Sequence, residues 1–233
     1  MKQLQEYAAG YGLELTAEML EQFELYYAML VEWNGRMNLT TITERHDVII
    51  KHFLDSIAVL AHYPLPYQAR LIDVGPGAGF PSIPIKIVRP DLEISLLDSL
   101  QKRTVFLQAV SDALGQKNQV VHGRAEEFGH NPEWRGQYDF AIARAVSRLN
   151  VLLEYCIPFV KCGGVFLAMK GPEGDRECED AANAMEKLGC AIVEKRGYLL
   201  PGHQARQLIC IENRSQTSPL YPRKQKKITN SPL

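Results

Sequence analysis

Apolar residues recur every three or four positions near the start of the chain. Leu20, Phe23, Tyr27 and Leu30 lie a helical turn apart, running up to Trp33. Thr16 suits the N-cap of that helix, and Asn34-Gly35 predicts its C-terminal stop. The run from Val48 to Ile57 predicts another helix, and Pro64 and Pro66 close the region. Residues 1–66 are therefore expected to be a helical extension, with the aromatic stripe in its core.

The pattern changes after residue 70. Short continuous apolar runs predict buried strands at Leu71–Val74, Leu92–Leu97, Gln119–His122, Tyr138–Ala143 and Val165–Met169. Helices are expected between them: Ile83–Val88, Lys102–Leu114 and Leu149–Val160. Gly163-Gly164 is read as the stop of the last. Cys178–Leu188 reads as one more helix. Ala191–Leu200 and Gln207–Glu212 read as an antiparallel pair joined through Pro201-Gly202-His203. Strand-helix repeats imply a parallel sheet covered on both faces. The expected fold is α/β and Rossmann-like, with seven strands, mostly parallel, and a C-terminal antiparallel hairpin. Its parts are an extension at 1–66, the sheet domain at 67–213 and a tail at 214–233.

The chemistry-bearing residues gather at strand ends, where ligands sit in such sheets. Asp73 ends the first strand, and Gly75, Gly77 and Gly79 follow in alternation. The dinucleotide fingerprint needs a sixth-position glycine, but counting from Gly75 that place holds Phe80. The order acid, G-x-G-x-G resembles the first motif of S-adenosylmethionine-dependent methyltransferases. Asp98 ends the second strand, 19 residues after Gly79. A carboxylate there can accept both ribose hydroxyls, or it can simply favour a helix start. Ala125-Glu126 offers an amide and a carboxylate to adenine, or opens a short helix. Arg144 is a cofactor or nucleotide contact, or a structural ion pair. Lys170 meets a phosphate or is a surface lysine.

Composition removes several function classes. Five cysteines without a C-x-x-C pair and six histidines without H-x-x-x-H spacing support neither a disulfide framework nor a metal site. No apolar run approaches the ~20 residues of a membrane span. The first residues lack the apolar core of a signal peptide, so the cytoplasm is the expected compartment. Neither G-x-S-x-G nor a P-loop is present. Net charge is −1, yet residues 214–233 carry +5 and no acid, leaving −6 for the rest. A basic tail on an acidic body suits a polyanion partner or a solvated, disordered terminus.

Taken together, the motifs resemble the bacterial glucose-inhibited division protein B family. They are Trp33-Asn34, Asn38-Leu39-Thr40, His52 with Leu54-Asp55-Ser56, Asp73 to Pro84, Leu96-Leu97-Asp98-Ser99, Lys102-Arg103, Arg124-Ala125-Glu126, Arg144-Ala145, Lys170-Gly171 and Tyr221-Pro222-Arg223-Lys224. The resemblance implies methyl transfer from S-adenosylmethionine to N7 of a guanine in the 530 loop of small-subunit ribosomal RNA. It implies that RNA, or the assembling 30S subunit, as partner, no membrane, and a monomer. By that resemblance and by position, Asp73, Gly75, Gly77, Gly79, Phe80, Asp98, Ser99, Ala125, Glu126 and Arg144 are the expected cofactor residues. Arg144 and Lys170 are the expected catalytic residues. His52, Lys102, Arg103, Arg148, Arg223 and Lys224 are the expected RNA contacts. Where the family has a second glycine after Phe80-Pro81, this chain has Ser82. A small-molecule methyltransferase and a non-catalytic ribosome-binding module are the competing functions.

Overall fold

A computed structural model describes residues 1–233. Five parallel strands form the centre of one sheet: β1 (Arg70–Val74), β2 (Glu93–Asp98), β3 (Gln119–His122), β4 (Tyr138–Arg144) and β5 (Val160–Lys170). They are followed by β6 (Cys190–Leu200) and β7 (Gln204–Asn213), and the strand order is β3-β2-β1-β4-β5-β7-β6. β7 runs antiparallel to both β5 and β6, so the hairpin reverses one strand only. The chain moves outward from β1 through β2 to β3, then returns to β4 on the other side of β1. Connections therefore leave β1 and β4 in opposite directions and open a crevice at their carboxyl ends.

The extension is helical but differs in detail from the sequence reading. After α1 (Lys2–Gly10), α2 (Ala17–Met37) continues past Asn34-Gly35. Its stop is Asn38, left-handed at φ 50°. Asparagine tolerates that conformation, and Asn34 works from inside the helix instead. Its carbonyl accepts from Asn38 N, and its Oδ1 accepts from Thr40 N at 2.8 Å. The second helical region is broken into α3 (Arg45–Val48), a π-helical stretch (Ile49–Leu54), α4 (Asp55–Ile57) and α5 (Val59–His62). One apolar cluster runs from Leu4, Phe23 and Phe53 into Leu71, Ile83 and Leu96, so the extension and the sheet share a core across residue 66.

Four helices come from the β–α units: α6 (Ser82–Val88), α7 (Gln101–Ala113), α8 (Ala125–Phe128) and α9 (Leu149–Cys156). Pro158 ends the last, in a 3₁₀ turn at Ile157–Phe159. Gly163-Gly164 is not a helix stop but lies inside β5. A Cβ at Gly164 would sit 2.6 Å from the carbonyl oxygen of Asp139, so glycine is needed where the β4–β5 register shifts. The expected Cys178–Leu188 helix is two helices, α10 (Gly174–Asp180) and α11 (Ala182–Leu188), interrupted at Ala181.

Residues 214–233 are not a loose terminus. Arg135 donates to the carbonyls of Thr217, Ser218 and Tyr221, and His130 Nε2 pairs with Pro222 O at 2.7 Å. The short α12 (Gln225–Asn230) buries Ile228 completely. No helix is long and apolar enough to cross a membrane.

Candidate active site

The loop after β1 is shaped by its glycines. Gly75, Gly77 and Gly79 all have positive φ, at 77°, 61° and 100°. At Gly79 a Cβ would stand 2.6 Å from Ile83 Cδ1 and from Tyr26 Oη, so both the angle and the space require glycine. Tyr26, from α2, donates its hydroxyl to Ala78 O at 2.5 Å and pins the loop from below. Burial, chiefly, raises that phenol well above its ordinary pKa, so it stays a donor.

Asp73 lies beneath the loop and is fully buried. Its Oδ2 accepts from Ser82 N at 3.2 Å, whereas Asp73 Oδ1 and Ser82 Oγ have no partner. Burial pushes its pKa up to about 7. Ser82 is also fully buried, so its side chain fits without opening the loop.

Asp98, at the end of β2, joins the loop to the next unit. Its Oδ2 accepts from Gly77 N at 3.1 Å and its Oδ1 from Leu100 N at 2.9 Å. Arg103 Nη1 is a third, long donor to Oδ2 at 3.5 Å, so the uncommitted acceptor site on this carboxylate, which is 2% exposed, is on Oδ1.

Phe80 carries the extension into the site. Its ring stacks on His52 with centroids 4.3 Å apart and on Tyr26 at 5.3 Å, and the Arg144 guanidinium lies 5.1 Å from its centroid. Arg144, at the end of β4, reaches the π-helical stretch. It donates to Lys51 O and Asp55 Oδ2, both at 2.9 Å, and to His52 Nδ1 at 3.1 Å. The opposite Asp55 oxygen is 3.3 Å from Arg206 on β7. Lys170, at the end of β5, donates to Ser147 O and Glu177 Oε2, both at 2.7 Å.

Three adjoining cavities open along this crevice, all bordered by Val146. The first, about 380 Å³, is lined by the glycine loop, Phe80, Asp98, Ser99 and Arg144. The second, about 250 Å³, is lined by Ser99, Ala125, Glu126, Tyr155, Gln225 and Thr229. The third, about 550 Å³, is lined by Lys51, His52, Asp55, Arg144, Arg148, Lys170, Glu177 and Arg206. Every expected cofactor residue except Asp73 lines the first or second cavity or belongs to the glycine loop. The fit to S-adenosylmethionine is good. Asp98 Oδ1 has a lone pair left for a hydroxyl donor, and Ala125-Glu126 and Tyr155 form a half-apolar slot suited to a base. A Cβ at Gly75 would stand 3.0 Å from Val146 Cγ2, so the loop and the Val146 wall pack closely here.

Several expected RNA contacts have other work. Arg223 is held by Glu154: its Nε and Nη2 donate to the carboxylate at 2.7–3.1 Å, and Glu154 is fully buried. Two of its three guanidinium nitrogens are thereby committed to a carboxylate. Lys102 Nζ donates to Met37 O, the C-terminal end of α2, and Arg103 lies 3.5 Å from Asp98. His52 is nearly buried, and burial together with Arg144 holds its pKa down to about 3, so it is not a cation. Arg148 and Lys224 remain exposed. Asp55, Val146, Tyr155, Glu177, Arg206, Gln225 and Thr229 also line the cavities. Only Asp55 had a sequence signal, from the Leu54-Asp55-Ser56 motif.

Solved structures share the sheet. TYW2 of M. jannaschii, in complex with AdoMet, superposes with a TM-score of 0.53 at 14% identity, covering 68% of this chain and 76% of that one. YcgJ of Bacillus subtilis gives 0.53 at 13% identity, covering 70% of this chain and all of that one. These likenesses show the class I methyltransferase fold. Closer relatives are named ribosomal RNA small subunit methyltransferase G. That of Staphylococcus saprophyticus is 46% identical over 232 residues, covering 99% of this chain and 97% of its own. That of Alkaliphilus oremlandii is 45% identical over 233 residues, with the same coverage of both chains. A family model described as rRNA small subunit methyltransferase G matches residues 19–198. Crevice, glycine loop and relatives agree, and the chain belongs to the GidB family of small-subunit ribosomal RNA methyltransferases.

Proposed function

We propose that this chain transfers a methyl group from S-adenosylmethionine to N7 of a guanine in the 530 loop of 16S ribosomal RNA. One observation carries the reading: the cleft lined by the glycine loop, Asp98 and Ser99 adjoins, across Arg144 and Val146, a larger cavity rimmed by Lys51, Arg144, Arg148, Lys170 and Arg206. A base with phosphates on its flanks suits that cavity, and a splayed loop nucleotide can enter it.

S-adenosylmethionine supplies an electrophilic methyl group on a sulfonium. N7 carries a free lone pair on the groove edge of guanine and loses no proton when methylated. The site accordingly needs alignment rather than a base. His52 fits this division of labour, since both its ring nitrogens are engaged within the protein. Methylation leaves positive charge on the purine. Glu177 Oε1, which accepts no hydrogen bond from the protein, is the carboxylate oxygen free to face it. Lys170 holds the other oxygen of Glu177 and the Ser147 carbonyl, and so sets the wall between cofactor and base. Arg148 and Lys224 are left to hold phosphates, with an affinity that falls as salt rises.

The test is transfer of labelled methyl to small-subunit RNA and to assembled and assembling subunits, mapped by strand cleavage at 7-methylguanine. Label at N7 in the 530 loop is expected. Label on small molecules or protein, with none on RNA, overturns the proposal.

A further inference from the structure

Residues 214–233 are anchored to the body by buried charge. Arg135 grips three of their carbonyls, and Glu154 accepts from Arg223 through both its side chain and its backbone N. Pro222 packs on Gly129, where a Cβ would meet it at 2.9 Å. These contacts place α12 beside the second cavity rather than out in solvent.

Gln225 and Thr229 are four residues apart on one face of α12, and both line that cavity opposite Ala125 and Glu126. Arg124 Nη1 donates to Gln225 Oε1 at 2.6 Å and lies 3.6 Å from Glu126 Oε1. One guanidinium therefore bridges the C-terminal helix and the carboxylate expected to read adenine.

We propose that α12 is the outer wall of the adenine subsite. Gln225 is a positioning residue: it holds Arg124, which orients the Glu126 carboxylate towards the exocyclic amino group. Thr229 covers the outer edge of the base. The segment that charge alone reads as an arm for a polyanion or a solvated terminus thus governs cofactor affinity. This rests on the second cavity being the adenine end of the cofactor site. Excluding water there strengthens each hydrogen bond to the base.

Calorimetric titration of the full chain with S-adenosylmethionine, and separately with adenosine, tests the proposal. Gln225→Ala is expected to weaken both ligands by the same ~3- to 10-fold, the loss of one hydrogen bond's ordering. Thr229→Trp, which fills the rim, is expected to weaken both further. Lys227→Ala, an exposed change on the same helix, is expected to leave both unchanged. The ligand-free melting temperature of Gln225→Ala should match the parent, which a merely structural role would not allow. Wild-type affinity in Gln225→Ala and Thr229→Trp, with weakened binding in Asp98→Ala, overturns the role of α12. Wild-type affinity in all three overturns the assignment of the pocket itself, and the proposal with it.

Discussion

Arg144 Nη2 donates to His52 Nδ1 at 3.1 Å, and that single bond decides the state of the imidazole. A guanidinium has only donors, so Nδ1 must be the acceptor. The proton of the neutral ring then sits on Nε2 and is given to Thr40 Oγ1 at 2.9 Å. A neutral ring can lie flat on Phe80, and a charged one would face Arg144 and Lys51. Nitrogen chemical shifts at pH 5 should show the neutral Nε2–H tautomer, where a free histidine would be charged.

The same shift has a stability consequence. The folded pKa near 3 lies below the usual 6.5, so the unfolded chain binds more protons between those values. His52 therefore lowers stability as pH falls from about 6.5 towards 3, and has no such effect above. Asp73 acts oppositely: with a folded pKa near 7 against 3.8, the folded chain binds the extra proton, and stability falls as pH rises through that window. Denaturant melts across pH 4–8 should show His52→Gln gaining relative to the parent at the acid end. Asp73→Asn should gain at the alkaline end, by ~1 kcal/mol or more.

Arg144→Lys should not rescue Arg144→Ala. Three acceptors, Lys51 O, Asp55 Oδ2 and His52 Nδ1, are met by one planar fork, which an ammonium on a flexible stem does not reproduce. Both variants are expected to lose methyl transfer by ~100-fold or more, the cost of misplacing positioning groups. Single-turnover assays check this, with circular dichroism as the folding control.

Asp98→Ala should weaken S-adenosylmethionine by ~10- to 100-fold, the loss expected for hydrogen bonds to a charged acceptor. Asp98→Asn should fall between, since one acceptor oxygen remains. Calorimetry on the full chain gives the ratio directly.

Two adjacent tail cations should behave differently. Arg223→Ala strands the fully buried Glu154 and should cost ~3–5 kcal/mol of stability. Lys224→Ala should leave melting unchanged and lower the salt dependence of RNA binding by ~0.7 in the log–log slope. Equal melting temperatures for the two variants would contradict the structure.

Lys170→Ala should reduce kcat while leaving cofactor affinity within ~2-fold, because Lys170 meets Ser147 and Glu177 rather than the glycine loop. A matching loss of cofactor affinity would place Lys170 in the wrong cavity.

Local pattern was enough for the sheet and the cofactor loop. Apolar runs bounded by Asp73, Asp98 and Arg144 define strands whose ends must converge, because parallel strands linked by helices all point their carboxyl ends the same way. G-x-G-x-G with Phe80 at the sixth position, where a dinucleotide site has glycine, separated this loop from such a site for a backbone reason that is written in consecutive residues. Helix ends were legible only where the stop is local. Asn34-Gly35 looks like one, yet the helix ends at Asn38, because Asn34 caps it from within.

What the tertiary structure alone decided is which charges are free. Arg223 and Lys224 are neighbours in sequence and equal in charge, but one is spent on Glu154, sixty-nine residues away, and the other faces solvent. Lys102, Arg103 and His52 were likewise taken up by Met37, Asp98 and Arg144. The energy of a charge depends on its burial and its partner, and both are set by residues distant in the chain. Sequence determines that the charge exists; only the folded contacts determine whether anything is left of it to bind a ligand.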